Sequence, residues 1–282
     1  MKIILGDNQF FGVNHFDLSK GQKTKEIFNS TDKIANFIND SLELGLDGFM
    51  INSNDFGFKV LDKYQFDTSK EIHYSIPYPH KYAAMVNENG LLSLGKHVFK
   101  HMSLFNIITQ GIKFLFTRNF KHIIRPILEI EIPKNLKKGS YVYLQNIVTD
   151  LLIGIGREDL LIAFIKEVVN KGFKPGIITL NPIVLDKSLN SLNDILLTEN
   201  LVVCFNINKG GFNVFPEKNE VEKFIDKDKN YKLMGMSILS SGGAEIFESL
   251  NYIKALDLDY VVFGSSKLSN IKSNLDLLIS ET

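Results

Sequence analysis

Eight short apolar runs, each ending in polar residues and most followed by a stretch with helical spacing, constrain this chain more than any other feature. They are KIILGDNQ, DGFMINSND, IHYSIP, YVYLQN, GIITLNP, LVVCFNIN, KLMGMSIL and YVVFGSS. Short, largely uninterrupted apolar runs suit strands buried on both faces, which is the situation of parallel strands covered by helices. Between them the period changes. In Thr31 to Leu44, the residues Ile34, Phe37, Ile38, Ser41 and Leu42 fall on one helical face, and Gly45 supplies a stop. In Arg157 to Lys171, Leu160, Leu161, Phe164, Ile165 and Val168 form a similar stripe ended by Gly172. The last four strand ends, near Asn146, Asn181, Asn208 and Ser237, lie about 27 to 35 residues apart, the length of a strand-helix unit. Eight units predict a single (βα)8 barrel over 1–282. A doubly wound sheet is the structural alternative, because counting strands does not establish closure.

The spacing breaks once. About 60 residues separate IHYSIP from YVYLQN, which predicts a helical insertion over about 84–138 in the loop after strand three. From Gly90 to Leu128 no residue is acidic, yet Lys96, Lys100, Lys113, Arg118, Lys121 and Arg125 are present with His97, His101 and His122. Apolar side chains such as Phe99, Phe105, Phe114, Phe116 and Phe120 are interleaved. The plainer expectation is a packed lid whose charges are solvated. The sharper one is contact with an anionic membrane surface or a partner protein through 96–125. Nucleic acid is not expected, since 32 basic and 32 acidic residues leave no global field to attract it.

Composition excludes several other classes. With 44% hydrophobic and 23% charged residues the chain reads as an ordinary soluble globular protein. Cys204 is the only cysteine, so no internal disulfide or multi-thiolate metal site can form, and a reducing, cytoplasmic setting is expected. Aspartate, asparagine and glutamine interrupt MKIILGDNQFFG before a signal peptide's apolar region could form, and the absence of 18 uninterrupted apolar residues argues against a spanning helix. All six histidines lie at or before His122 without HxH or HExxH spacing, so no metal site is expected.

In a (βα)8 barrel the working residues come from the C-terminal ends of the strands and the loops that follow. Those ends supply Asp7, Asn8 and Gln9; Asn52, Asn54 and Asp55; Tyr78 and His80; Gln145 and Asn146; Thr179 and Asn181; Asn206, Asn208 and Lys209; then serines at 237, 240, 241, 265 and 266. Amides orient polar ligands but do not exchange protons at neutral pH. Asn8, Asn52, Tyr78, Gln145, Asn146, Asn181 and Asn206 are therefore expected to bind substrate. Asp7, His15, Asp55 and Lys209 are the candidates for proton transfer. Two adjacent helix starts are rich in serine and glycine: Ser240, Ser241, Gly242 and Gly243 after strand seven, and Gly264, Ser265 and Ser266 after strand eight. Free backbone N–H groups there would suit phosphate, although capping explains the same residues.

INSNDFG, residues 51 to 57, and GSSKLSNIKSN, residues 264 to 274, resemble two motifs of the aldo-keto reductases, whose barrels place an aspartate and then a tyrosine after strand two and hold cofactor phosphate after strand eight. The resemblance implies NAD(P) as cofactor, with Asn270 in the phosphate loop. It also implies losses. Asn52 stands where the family has its aspartate and Phe56 where it has the proton-donating tyrosine. Strand three ends Ser75-Ile76-Pro77 in place of a lysine, and Gln145-Asn146 replace a histidine. Asn270 replaces the arginine that holds a 2'-phosphate. Phenylalanine has no proton to give, so ordinary carbonyl reduction by this tetrad is excluded. The expectation is an enzyme acting on a phosphorylated or nucleotide-linked, hydroxyl-rich small molecule. The competing expectations are a nicotinamide-dependent oxidoreductase with a different acid, and a non-catalytic protein acting through its basic insertion.

Overall fold

The computed structural model describes residues 1–12, 24–78, 81, 87, 109–110, 112–113, 116–117, 119, 121–191, 200–240 and 245–280. The strands are β1 (Lys2–Leu5), β2 (Gly48–Asn52), β3 (Glu71–Ile76), β4 (Tyr141–Leu144), β5 (Lys174–Ile178), β6 (Val202–Asn206), β7 (Lys232–Met236) and β8 (Tyr260–Phe263). Each pairs in parallel with the next, and β8 returns to β1 with Lys2 opposite Tyr260 and Leu5 opposite Phe263. That closure makes the fold a (βα)8 barrel and removes the doubly wound alternative.

Helices α1 (Thr31–Glu43), α2 (Asp55–Lys63), α3 (Lys121–Glu131), α4 (Asn146–Gly154), α5 (Glu158–Asn170), α6 (Pro182–Ser191), α7 (Lys218–Ile225), α8 (Ile246–Lys254) and α9 (Leu268–Ile279) accompany the strands. The expected stripes lie where the period placed them. Helix α1 starts at Ser30, whose Oγ accepts the Lys33 N–H, and buries Ile34, Ala35, Ile38 and Leu42. The isoleucine and leucine side chains among these each contribute roughly 1.5–3 kcal/mol on burial. Gly45 and Gly172 end their helices at φ +113 and +80, conformations that side chains with a Cβ resist.

Strand side chains alternate between the helices and the barrel interior. The interior cluster holds Ile4, Met50, Tyr141, Tyr143, Ile178, Val202, Cys204, Met234, Tyr260 and Val262. Its hydroxyls are paired: Tyr143 with His73 Nδ1 at 2.8 Å, and Tyr141 with Tyr260 at 3.1 Å. Gly176, opposite Tyr143 on β5, makes room for that ring, because an added Cβ would lie 2.3 Å from Tyr143 Cδ1. Gly176→Ala is therefore expected to destabilise the barrel by roughly 3 kcal/mol through overpacking, read as a lowered midpoint in urea denaturation; an unchanged midpoint would show that the ring moves freely.

Most of the expected insertion, including Lys96, His97, Lys100, His101 and Arg118, lies outside the described residues. Within it, α3 is helical, and its Arg125 forms an ion pair with Glu167 of α5. Packing accounts for that one charge of the basic stripe. Among the described residues no helix is long and apolar enough to cross a membrane, and no group of His, Cys, Asp and Glu converges that could hold a metal ion.

Candidate active site at the C-terminal mouth

The interior period carries straight into the mouth. Two residues beyond Met50, His73, Tyr143 and Cys204, each strand presents its next inward position: Asn52, Ser75, Gln145 and Asn206. Three of these meet. Ser75 Oγ donates to Asn52 Oδ1 at 2.5 Å, Gln145 Nε2 donates to the same oxygen, and Gln145 Nε2 lies 3.3 Å from Ser75 Oγ. On the other side, Asp7 Oδ2 accepts both the Asn52 backbone N–H and its Nδ2, each at 2.7 Å. A continuous chain Asp7–Asn52–Ser75–Gln145 thus spans the ends of β1 to β4.

Asp7 sets the polarity of this chain. A carboxylate only accepts, so Asn52 must turn its NH2 toward Asp7 and its oxygen toward Ser75 and Gln145. Gln145 must then aim its own NH2 at Asn52. No other described side chain donates to Asp7 Oδ1 or Gln145 Oε1, and neither is among the fully buried atoms without a partner. Both residues are buried, 6% and 8% exposed. Burial pushes the Asp7 carboxyl up to about 6, against the downward pull of the two Asn52 hydrogen bonds. Burial also raises the phenol pKa of Tyr78, and the charge on Asp7 adds to it.

INSNDFG divides its labour residue by residue. Asn52 belongs to the chain. Ser53 Oγ accepts the Tyr78 N–H at 2.9 Å and fixes the loop after β3. Asn54 is the N-cap of α2, accepting the Gly57 N–H at 2.9 Å. Asp55 is exposed in the first turn of that helix, where it complements the dipole. Phe56 is 40% exposed. Behind the loop, Lys81 pairs with the fully buried Glu131 at 3.3 Å and reaches toward the Ser53 carbonyl.

The remaining expected site residues are placed differently. Lys209 is exposed and paired with Glu248. Asn8 is exposed in a 3-10 turn, and Asn146 opens α4. Asn181 Oδ1 accepts the Val184 N–H and so starts α6. Asn206 joins a second group, accepting from Ser237 Oγ at 2.7 Å and donating to the Asn213 carbonyl. Ser240 is buried. His15, His80, Ser241, Gly242 and Gly243 lie outside the described residues. Ser75, Ser53, Lys81 and Glu131 were not singled out from the sequence as site residues; the inward alternation of β3 would have marked Ser75.

A barrel with this strand order is similar to that of a candidate aldo-keto reductase from Pseudomonas aeruginosa. The two superpose with a TM-score of 0.57 at 10% identity, over 98% of this chain and 88% of the other. The fold is aldo-keto reductase-like. An aldo-keto reductase from Bacillus halodurans, in its holo form, aligns over 89% of this chain and 83% of its own at 11% identity and a TM-score of 0.47. No family profile matches the sequence, and no curated protein matches it.

Of the described residues expected to hold cofactor phosphate after β8, none carries a charge for it. Ser265 Oγ is engaged with its own turn, accepting the Lys267 N–H at 3.3 Å. A Cβ at Gly264 would fall 2.2 Å from Gln9 Oε1, so the space that glycine leaves is already taken by Gln9. Asn270 carries no charge to meet a 2'-phosphate.

Proposed function

We propose that the protein is an acid–base enzyme of a remodelled aldo-keto reductase-like barrel, acting on a hydroxyl-bearing small molecule with Asp7 exchanging the proton. The observation that carries this reading is the buried Asp7 carboxyl, held near neutrality by its surroundings and anchored on one oxygen only. A group whose pKa lies close to the working pH is best suited to both accept and return a proton. Asp7 Oδ1 and Gln145 Oε1, which take no hydrogen bond from another described side chain, can accept from adjacent hydroxyl groups of such a molecule. Tyr78, beside the same carboxylate, would orient the substrate oxygen. A phosphorylated or nucleotide-linked substrate remains part of the reading through Ser240 to Gly243, while Ser265 Oγ is engaged in its own turn with the Lys267 N–H.

The decisive measurement is thermal stabilisation of the purified protein against sugars, sugar phosphates, nucleotide sugars, NADPH and NADH. A ligand at 100 times its dissociation constant adds about 2.7 kcal/mol, an easily visible shift. Stabilisation by a hydroxyl-rich compound that disappears in Gln145→Leu is the expected result. Stabilisation by NADPH or NADH alone would replace this reading with a nicotinamide-dependent one.

A further inference from the structure

The loop after β3 is tied down from behind by a buried ion pair. Lys81 Nζ lies 3.3 Å from Glu131 Oε1 and 3.5 Å from the Ser53 carbonyl oxygen, with side-chain exposure of 10% for Lys81 and 0% for Glu131. The partners are themselves anchored. The Lys81 N–H donates to the Tyr78 carbonyl at 3.1 Å, the Tyr78 N–H donates to Ser53 Oγ at 2.9 Å, and the Tyr74 hydroxyl donates to the Glu131 carbonyl at 2.9 Å. Glu131, the last residue of α3, is thereby fixed on β3, and Tyr78 is held at both its N–H and its carbonyl.

Stability alone does not account for this pair. Two buried charges gain little over apolar side chains of similar volume. Glu131 Oε2 is in addition buried without a hydrogen-bond partner, which costs further. What the pair supplies and an apolar contact does not is direction, since an ammonium set between a carboxylate and a carbonyl has a defined place. Tyr78 is the site residue that depends on that place, and its phenol lies near enough to Asp7 to feel the charge there. We infer that Lys81 and Glu131 are positioning residues, whose ion pair holds the loop after β3 so that Tyr78 stands beside Asp7. The inference rests on the proposed roles of Asp7 and Tyr78 and adds the device that keeps them together. It also gives α3 a part in the site, although 50 positions separate Glu131 from Lys81.

The test is read by NMR and needs no substrate. In the parent, the Tyr78 ring and the Asn52 side-chain amide should both shift with a midpoint about 6, reporting the Asp7 carboxyl. Lys81→Met with Glu131→Met exchanges the pair for apolar side chains, so its midpoint in urea should be no lower than the parent's. Asn52 bonds Asp7 directly, so its shift should persist in the double variant. The Tyr78 shift should shrink at least about twofold, because the effect of a charge falls with distance. A full Tyr78 shift in the double variant overturns the inference, since the pair then serves packing alone. A lowered urea midpoint overturns it too, because the pair would then be a source of stability and general loosening would explain any change at Tyr78. The parent separates this inference from the reading beneath it. A step at Asn52 without one at Tyr78 leaves Asp7 standing and overturns the inference alone, whereas no step at Asn52 removes Asp7 as the proton-exchanging group and takes the inference with it.

Discussion

Asp7→Asn should give a protein that is inactive yet more stable than the parent at pH 7.5. The folded-state pKa of about 6 lies above the ordinary 3.8, so the native state binds this proton more tightly than the unfolded chain does. Stability therefore falls as pH rises from about 3.8 through 6, and the full penalty is present above that window. The gap between the two values corresponds to about 3 kcal/mol. Asparagine is nearly isosteric, carries no charge to desolvate and keeps an oxygen for the Asn52 N–H, so most of that penalty should be recovered. On the proposed role of Asp7 in proton exchange, its loss should lower turnover about 10²–10⁴-fold. Urea denaturation at pH 7.5 and at pH 3.5 tests the stability half: the gain should be large at the first and close to nil at the second. A variant less stable than the parent at pH 7.5 would mean that the charged form is favoured by its surroundings, and the assignment of Asp7 as the proton-exchanging group would fall with it.

The barrel was legible because its signal is local. Most strands are short, largely apolar runs, the helices follow stripes at another period, and Gly45 and Gly172 mark helix ends by chemistry that acts within a few residues. Closure was not legible, since nothing in KIIL or YVVF says that β8 will pair with β1. The site was legible in part. Asp7, Asn52 and Gln145 stand at strand ends and carry side chains that a buried strand does not need. Asparagine, however, signals two things at once. Asn54 and Asn181 prove to be helix caps, and Asn208 holds its own turn through both bonds to Phe212, because an amide that could grip a ligand also suits a free backbone N–H. Ser75 escaped notice as a site residue for a related reason. Its partners, Asn52 and Gln145, are 23 and 70 positions away, and only the strand register reveals that they meet.

The chain Asp7–Asn52–Ser75–Gln145 also explains what the likeness to aldo-keto reductases does and does not carry over. Three of its members occupy the strand ends where the resemblance leads one to expect a charged or ionisable group, and all three are neutral. Replacing those groups one at a time would leave buried charges unpaired, at a cost of several kcal/mol each. Two amides and a hydroxyl at these strand ends satisfy one another, and the one carboxyl of the chain stands at the end of β1. Asp7 is thus the residue whose surroundings the rest of the network determines, which is why its pKa is the most informative single observable of this mouth.

Gly57→Ala should break that network from a residue that takes no part in it. Gly57 is buried in the first turn of α2, and a Cβ there would lie 2.0 Å from the Asn52 carbonyl oxygen and 3.1 Å from Ile51 Cγ1. The first of these is backbone, held by β2 and unable to rotate away, so either α2 or the end of β2 must shift. A loss of at least about 3 kcal/mol is expected. Gly154 provides the control: it is the last residue of α4, a Cβ there meets nothing within 4 Å, and alanine should stabilise by up to about 1 kcal/mol. The more telling consequence is electrostatic. Displacing Asn52 lengthens the two bonds that pull the Asp7 pKa down, while burial continues to push it up, so the carboxyl of a Gly57→Ala protein that still folds should titrate above 6. Carboxyl NMR titration of Asp7 in the variant decides the matter. A pKa unchanged from the parent, in a folded protein, would show that the close approach of Gly57 serves only the packing of α2 and that Asn52 is positioned by its strand alone.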